Sequence, residues 1–200
     1  VRAGALQGYR RSSPHGGRRP LSRQWAAPVG RAACWIAVLL GACGGLPDGS
    51  DRGSQPAEVR QRMGGTEIAV VYNRPSARGR ELFGGLVPYD SVWNPGADEA
   101  TRIELSDDIL IEGERLPAGK YSIWAIPRPD EWTLIFSRAH DVFHVPYPEG
   151  QDALRLAVRP RRASHMETMA FTFPVATRDS AELRFHWGEV VLSLGLRPGN

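Results

Sequence analysis

The chain has only two cysteines among its 200 residues, and both lie early, at Cys34 and Cys43. Everything after Cys43 is without a thiol, which excludes a disulfide framework, a cysteine-ligated zinc site and a cysteine nucleophile in the folded part. Acidic residues are missing from residues 1–42, which carry seven arginines and no Asp or Glu. From Cys43 onward there are 18 basic and 22 acidic residues, a formal charge of −4, although the whole chain is +3. The basic character therefore belongs to the leading segment and is no argument for nucleic-acid binding by the rest. Long apolar runs are lacking too. The longest, Ala32–Ala42, falls well short of the ~20 residues a spanning helix needs. No window shows a 3.6-residue apolar stripe, and no phosphate loop, dinucleotide fingerprint or Gly-x-Ser-x-Gly elbow is present.

What is there begins with Leu40-Gly41-Ala42-Cys43, small residues before a cysteine at the close of a short apolar segment. A positive region, a short apolar region and small residues make an export signal. The cysteine at its end resembles a bacterial lipobox, which implies lipidation of Cys43 and a discarded leader, residues 1–42. About 30 residues precede the apolar run, long for such a signal, so translation is expected to start nearer Val29. The expected location is the cell envelope, with the protein membrane-anchored and facing the periplasm or the exterior. Gly44-Gly45 after the cysteine leans toward the outer membrane. Residues 43–63, rich in Gly, Pro, Ser and charge, read as a flexible tether.

The remainder, 64–198, has the size of one domain. Period-2 alternation recurs along it: Thr101–Leu105, Tyr121–Ile126, Trp132–Phe136, Leu154–Val158, Thr168–Phe173, Leu183–Trp187 and Val190–Leu196. The Tyr121–Ile126 run is apolar on both alternating sets, which predicts a strand covered on both faces. Glu112-Gly113-Glu114, Pro117-Ala118-Gly119 and Pro127-Arg128-Pro129-Asp130 punctuate the runs, and Gly188 predicts a tight hairpin between the last two. Residues 97–101 and 138–144 hold a helical turn at most. The pattern predicts an all-β, single-domain antiparallel β-sandwich, with a jelly-roll-like arrangement as one form of it. Its aromatic residues follow the alternation and read as core.

The segments Tyr72-Asn73-Arg74-Pro75, Arg78–Gly84, Leu86-Val87-Pro88-Tyr89, Val92–Thr101, Leu116–Ile123 and Glu131–Phe136, in this order, resemble the bacterial family known as domain of unknown function 2911. The likeness covers about residues 66–196. It implies an exported protein, often with a lipoprotein signal, and no established activity. The family often reads Trp-Arg-x-Gly-Ala-Asn where this chain has Trp93-Asn94-Pro95-Gly96-Ala97-Asp98. An arginine is absent and an amide has become an acid. If the family holds an anion through that arginine, this chain is expected to hold it weakly.

Polar groups on a loop carried by a rigid sheet are where binding usually sits. The candidate ligand-binding set is Arg80, Trp93, Asn94, Asp98, Glu99 and Thr101, with Trp93 as an aromatic platform for a sugar ring and the rest for its hydroxyls. The structural alternative has Trp93 plugging one end of the sandwich and Arg80 paired with Asp98 or Glu99. His140 and His144, four apart, would share a helix face and chelate a metal, completed by His165 or His186, but no glutamate follows the first. Surface histidines are the plainer reading. Asp107-Asp108 reads as strand-end solvation, since neighbours on a strand point to opposite faces. Arg159-Pro160-Arg161-Arg162 reads as a guard on an edge strand, or as a contact to anionic lipid. The leading functional expectation is a non-catalytic binding or interaction module whose partner is a glycan or an envelope protein. It needs no cofactor and binds no nucleic acid. The alternative is a metal-assisted hydrolase using His140 and His144.

Overall fold

The computed structural model describes residues 53–199, so the leader, Cys43 and the first part of the tether lie outside the described residues. No helix occurs among them. In chain order the strands are β1 (Gln55–Met63), β2 (Thr66–Arg74), β3 (Arg102–Leu105), β4 (Ile109–Ile111) and β5 (Glu114–Leu116). They continue with β6 (Gly119–Ile126), β7 (Trp132–Ser137), β8 (Asp152–Val158), β9 (Arg161–Ala176) and β10 (Ala181–Pro198). A six-stranded sheet has the order β1-β2-β3-β6-β7-β8 and a four-stranded sheet the order β5-β4-β10-β9, with every pairing antiparallel. This is the expected all-β sandwich. Its inner faces share one core that includes Ile68, Ile103, Trp132, Phe136, Phe185 and Trp187. A void of about 20 Å³ lies in this core among apolar side chains, room for a water molecule and not for a ligand.

Two expectations are corrected. The tether does not extend to residue 63. β1 pairs with β2 along its whole length, from Gln55↔Arg74 to Met63↔Thr66. Ala57, Val59 and Met63 turn inward between charged neighbours, an alternation masked by the Gly-, Pro- and Ser-rich stretch before it. Gly64-Gly65 closes the hairpin, with Gly64 at φ 60°, a conformation that favours glycine. Gly188 is likewise not a hairpin. It sits inside the single 18-residue strand β10, where the pairing with β9 shifts register on either side of it. Inward residues are odd before it (Leu183, Phe185, Trp187) and even after it (Leu192, Leu194, Leu196). The face that turns inward therefore switches across Gly188, φ 57°, where the register slips by two residues of β9 on either side.

The double covering of β6 is present. Ile123 and Ala125 face the main core, while Trp124 joins Ile135 of β7 on the outer face. Ala100, Val142 and Tyr147, from two long loops, cover that outer pair. After β2 the chain crosses to β9: the Met169 N–H donates to the Pro75 carbonyl at 3.0 Å and the Ala77 N–H to the Glu167 carbonyl at 2.8 Å. That crossing covers part of the β9 edge. On the rest, Arg161 donates to Ser193 Oγ at 2.9 Å and Arg162 pairs with Glu189, charged groups on an edge strand as expected of a guard.

Candidate functional site

The loop from Arg78 to Thr101 is built largely for architecture. The Trp93 N–H donates to the Ala125 carbonyl at 2.8 Å, which sets the loop beside β6. Its indole is half-buried and ringed by Phe83, Trp132, Phe185 and Trp187, with centroids 5.9 to 6.3 Å away. Trp93 thus plugs one end of the sandwich. Asn94, only 2 % exposed, donates from Nδ2 to the Ile123 carbonyl at 2.7 Å and accepts the Thr101 N–H on Oδ1 at 3.1 Å. Its side-chain amide takes the place of a missing rung in the β-ladder. Thr101, fully buried, donates from Oγ1 to the Pro95 carbonyl at 2.7 Å. A Cβ on Gly96 would come within 2.5 Å of that oxygen, so only glycine fits there.

The remaining members of the candidate set are scattered. Arg80 pairs with neither Asp98 nor Glu99. Its guanidinium donates to the carbonyls of Ser76 and Ala77 at 2.7 and 2.9 Å. Asp98 adopts φ 60°, a left-handed conformation that Asp and Asn tolerate best among residues with a Cβ. Its Oδ2 is buried without a donor among the described residues. The Asn73 amide donates to the Ala97 carbonyl at 2.9 Å and reaches Glu99 Oε2 at 3.3 Å.

The two histidines do not form a helical chelate. Residues 138–147 are irregular chain with an isolated bridge at Phe143, because Ala100, Glu99 and Asp98 pair with it: Glu99↔Phe143 form the bridge, and His144 N–H donates to the Asp98 carbonyl at 3.0 Å. His144 Nδ1 also lies 2.7 Å from that carbonyl, so this nitrogen carries the proton there. The structure therefore joins Asp98, Glu99 and His144, which the sequence placed in separate candidates, through a backbone pairing that also links Ala100 to Val142, both packed in the Trp124 cluster. His165 contacts Glu167 at 3.1 Å and His186 the Ser164 carbonyl at 3.1 Å, both on the β9–β10 sheet. Among the described residues no three His, Cys, Asp or Glu side chains converge as a metal set.

The large concavity lies elsewhere, at the other end of the sandwich. A cleft of about 1430 Å³ opens between the β1–β2 turn, the β3–β4 turn, the β9–β10 turn and the chain at Pro198-Gly199. Its walls carry Arg62, Arg115 and Arg178, Asp107, Asp108 and Asp179, and the hydroxyl residues Thr66, Ser106 and Thr177, with no aromatic side chain. Asp108 holds the site together. Its Oδ1 accepts the Ala118 N–H at 2.8 Å, its Oδ2 accepts Arg115 Nε at 3.0 Å, and its carbonyl accepts the Gly199 N–H at 2.9 Å. The Ala118 N–H and then the Arg115 guanidinium hold this carboxyl below its ordinary pKa. Arg62 is fixed on Glu67, whose carboxyl is lowered by that hydrogen bond and charge. Ser106 Oγ accepts the Glu67 N–H and donates to Asp107 Oδ2. The Arg178 guanidinium has no hydrogen-bond or ion-pair partner among the described residues.

Sequence reasoning missed this cleft. Its lining comes from turns more than a hundred residues apart, and each turn, taken alone, reads as ordinary solvated chain. A second, shallower groove of about 270 Å³ lies on the outer face of the six-stranded sheet, where Glu104 is already held by Arg102 and Lys120.

A family model described as a protein of unknown function, DUF2911, matches residues 54–196, which includes β1 and reaches into β10. No curated protein and no solved structure matches the chain.

Proposed function

The chain belongs to the DUF2911 family, and we propose that it is a lipid-anchored protein of the cell envelope that binds a polar ligand without transforming it. The anchor reading rests on Leu40-Gly41-Ala42-Cys43 and on the acid-free, arginine-bearing segment before it. The binding reading rests on one observation, the cleft of about 1430 Å³ with its pre-arranged charged and hydroxyl walls. Guanidinium groups only donate hydrogen bonds and carboxylates only accept them. A wall that carries the two in equal number matches a ligand whose every hydroxyl both donates and accepts. The ligand class that fits is an oligosaccharide, bound by polar contacts rather than by ring stacking. Asp108 and Glu67 fix Arg115 and Arg62 in advance, so little side-chain freedom is lost on binding. Arg178 is the cation left for the ligand.

The test is a thermal-shift measurement on the purified protein with glycan fragments released from the cell wall and from the outer leaflet, and with divalent metals and a chelator. A ligand at 100 times its Kd adds about 2.7 kcal/mol. A rise of several degrees with one oligosaccharide supports the reading. A rise with a metal alone, reversed by the chelator, contradicts it.

A further inference from the structure

The two ends of the sandwich differ in kind. One end holds the polar cleft, at Met63↔Thr66. The other, at Gln55↔Arg74, is where the chain enters β1. Nine residues of strand separate them, about 27 Å. The loop that leaves β2 at Arg74 stays at this second end: Asp90 N–H donates to the Pro127 carbonyl at 3.0 Å, and Trp93 bridges Ala125, beside the Ile126 terminus of β6.

The tip of this loop is rigid. Leu86 N–H donates to the Glu81 carbonyl at 2.9 Å, Val87 N–H to the Leu82 carbonyl at 2.7 Å, and Gly84 N–H to the Val87 carbonyl at 2.9 Å. Leu82 and Val87 are buried, and Phe83 packs edge-on to Trp132 with centroids 4.7 Å apart. With those three side chains held inside, Leu86, Tyr89 and Val92 are turned outward, and they are 46 %, 38 % and 40 % exposed. Three exposed apolar side chains within seven residues of a braced loop cost solvation and call for a partner surface.

We propose that Leu86, Tyr89 and Val92 seat this end of the domain in the interfacial layer of the bilayer that carries the Cys43 lipid. This inference rests on the anchor reading given above. Eleven residues, 44–54, separate Cys43 from Gln55, at most about 40 Å of chain. A tether of that reach lets the end at which β1 begins meet the membrane, and the apolar loop selects that end. Leu and Val enter the apolar boundary, and Tyr suits the headgroup level, with an apolar body and a polar tip. Arg128 pairs with Asp90 and Arg80 donates to backbone carbonyls, while Glu81, Asp130 and Glu131 are exposed without an ion-pair partner among the described residues, so the contact is apolar and gains nothing from anionic lipid. Seated in this way, the domain turns its cleft away from the membrane.

The test uses the full chain, processed in bacteria and reconstituted in phosphatidylcholine vesicles with and without spin-labelled lipid. Leu86→Cys, in a Cys34→Ser background, carries a nitrobenzoxadiazole label, and Arg178→Cys at the cleft carries the same label. Leu86 is exposed, so its replacement leaves the core intact. The expected result is co-flotation of both variants, with blue-shifted emission at position 86 quenched at least about two-fold and no quenching at 178, for an insertion of 5–10 Å. Co-flotation without quenching at 86 overturns the seating and leaves the anchor intact. Failure to float overturns the anchor reading and the seating with it. Quenching at 86 only after anionic phosphatidylglycerol is added to the vesicles overturns the apolar mode.

Discussion

Asn94 Oδ1 accepts the backbone N–H of Thr101 at 3.1 Å, and the same amide donates to the Ile123 carbonyl at 2.7 Å, so one side chain completes the ladder where the backbone departs from it. Removing it leaves a buried donor and a buried acceptor without partners. Asn94→Ala is predicted to cost about 2–4 kcal/mol, from two orphaned backbone groups. Asn94→Asp keeps an acceptor for Thr101 but sets a carboxylate against the Ile123 carbonyl, and should be no better. Denaturant unfolding checks both, as a lower midpoint with an unchanged m-value.

Trp93→Ala tests the same loop from its aromatic side. The indole is packed on four rings, so its removal opens a gap at the end of the core. The predicted loss is about 3 kcal/mol, at the low end for an aromatic truncation because the ring is only half-buried. A thermal melt that falls by several degrees supports the plug. A melt equal to wild type shows that Trp93 is a surface platform after all.

Asp98→Asn should be harmless or helpful. The backbone at φ 60° accepts Asn as readily as Asp, and the substitution gives the buried, donor-less Oδ2 position a group that needs no charge compensation. A rise in Tm, worth about 1 kcal/mol, is expected. A marked fall would show that the carboxylate has a partner or ligand of its own.

Gly188→Ala is predicted to destabilise by about 1–2 kcal/mol, since its φ of 57° disfavours a Cβ, and that Cβ would come within 2.7 Å of Leu82 Cδ1. Leu82→Ala removes the clash but not the backbone strain. A double-mutant cycle should therefore show positive coupling with part of the cost remaining.

The cleft has a pH signature. Asp108 is lowered from its ordinary value of 3.8, first by the Ala118 N–H and then by Arg115. Its contribution is therefore complete above 3.8 and is lost as pH falls through the lower, folded value. Arg115→Ala should move the Asp108 titration upward, read by carboxyl NMR. No movement would mean that Arg115 does not hold the carboxyl in solution.

The sandwich was legible because strands with one buried face advertise it by alternation, as Trp132, Leu134 and Phe136 do. β2 showed it poorly, because Ile68, Ala69 and Val70 are buried in succession. β1 was hidden by its charged outward residues and the glycines before it. Gly188 carried a true signal of irregular backbone, but a bulge and a hairpin ask the same of a glycine locally, and only the pairing with β9 separates them. For the candidate loop, residue type identified a special segment correctly and its purpose only in part. Asn94 and Thr101 are polar because a buried backbone needs partners, and a short sequence window cannot distinguish that need from a ligand's. The cleft stayed invisible because it belongs to no single segment.

The most direct test of the central claim is calorimetric titration of the purified protein with the oligosaccharide that raises its Tm, repeated with Arg178→Ala and Asp98→Asn. The account predicts that Arg178→Ala weakens binding at least about ten-fold, the loss of one charge-assisted contact, while Asp98→Asn binds as wild type. Binding that survives Arg178→Ala and is lost in Asp98→Asn would return the site to the 93–101 loop and contradict the cleft.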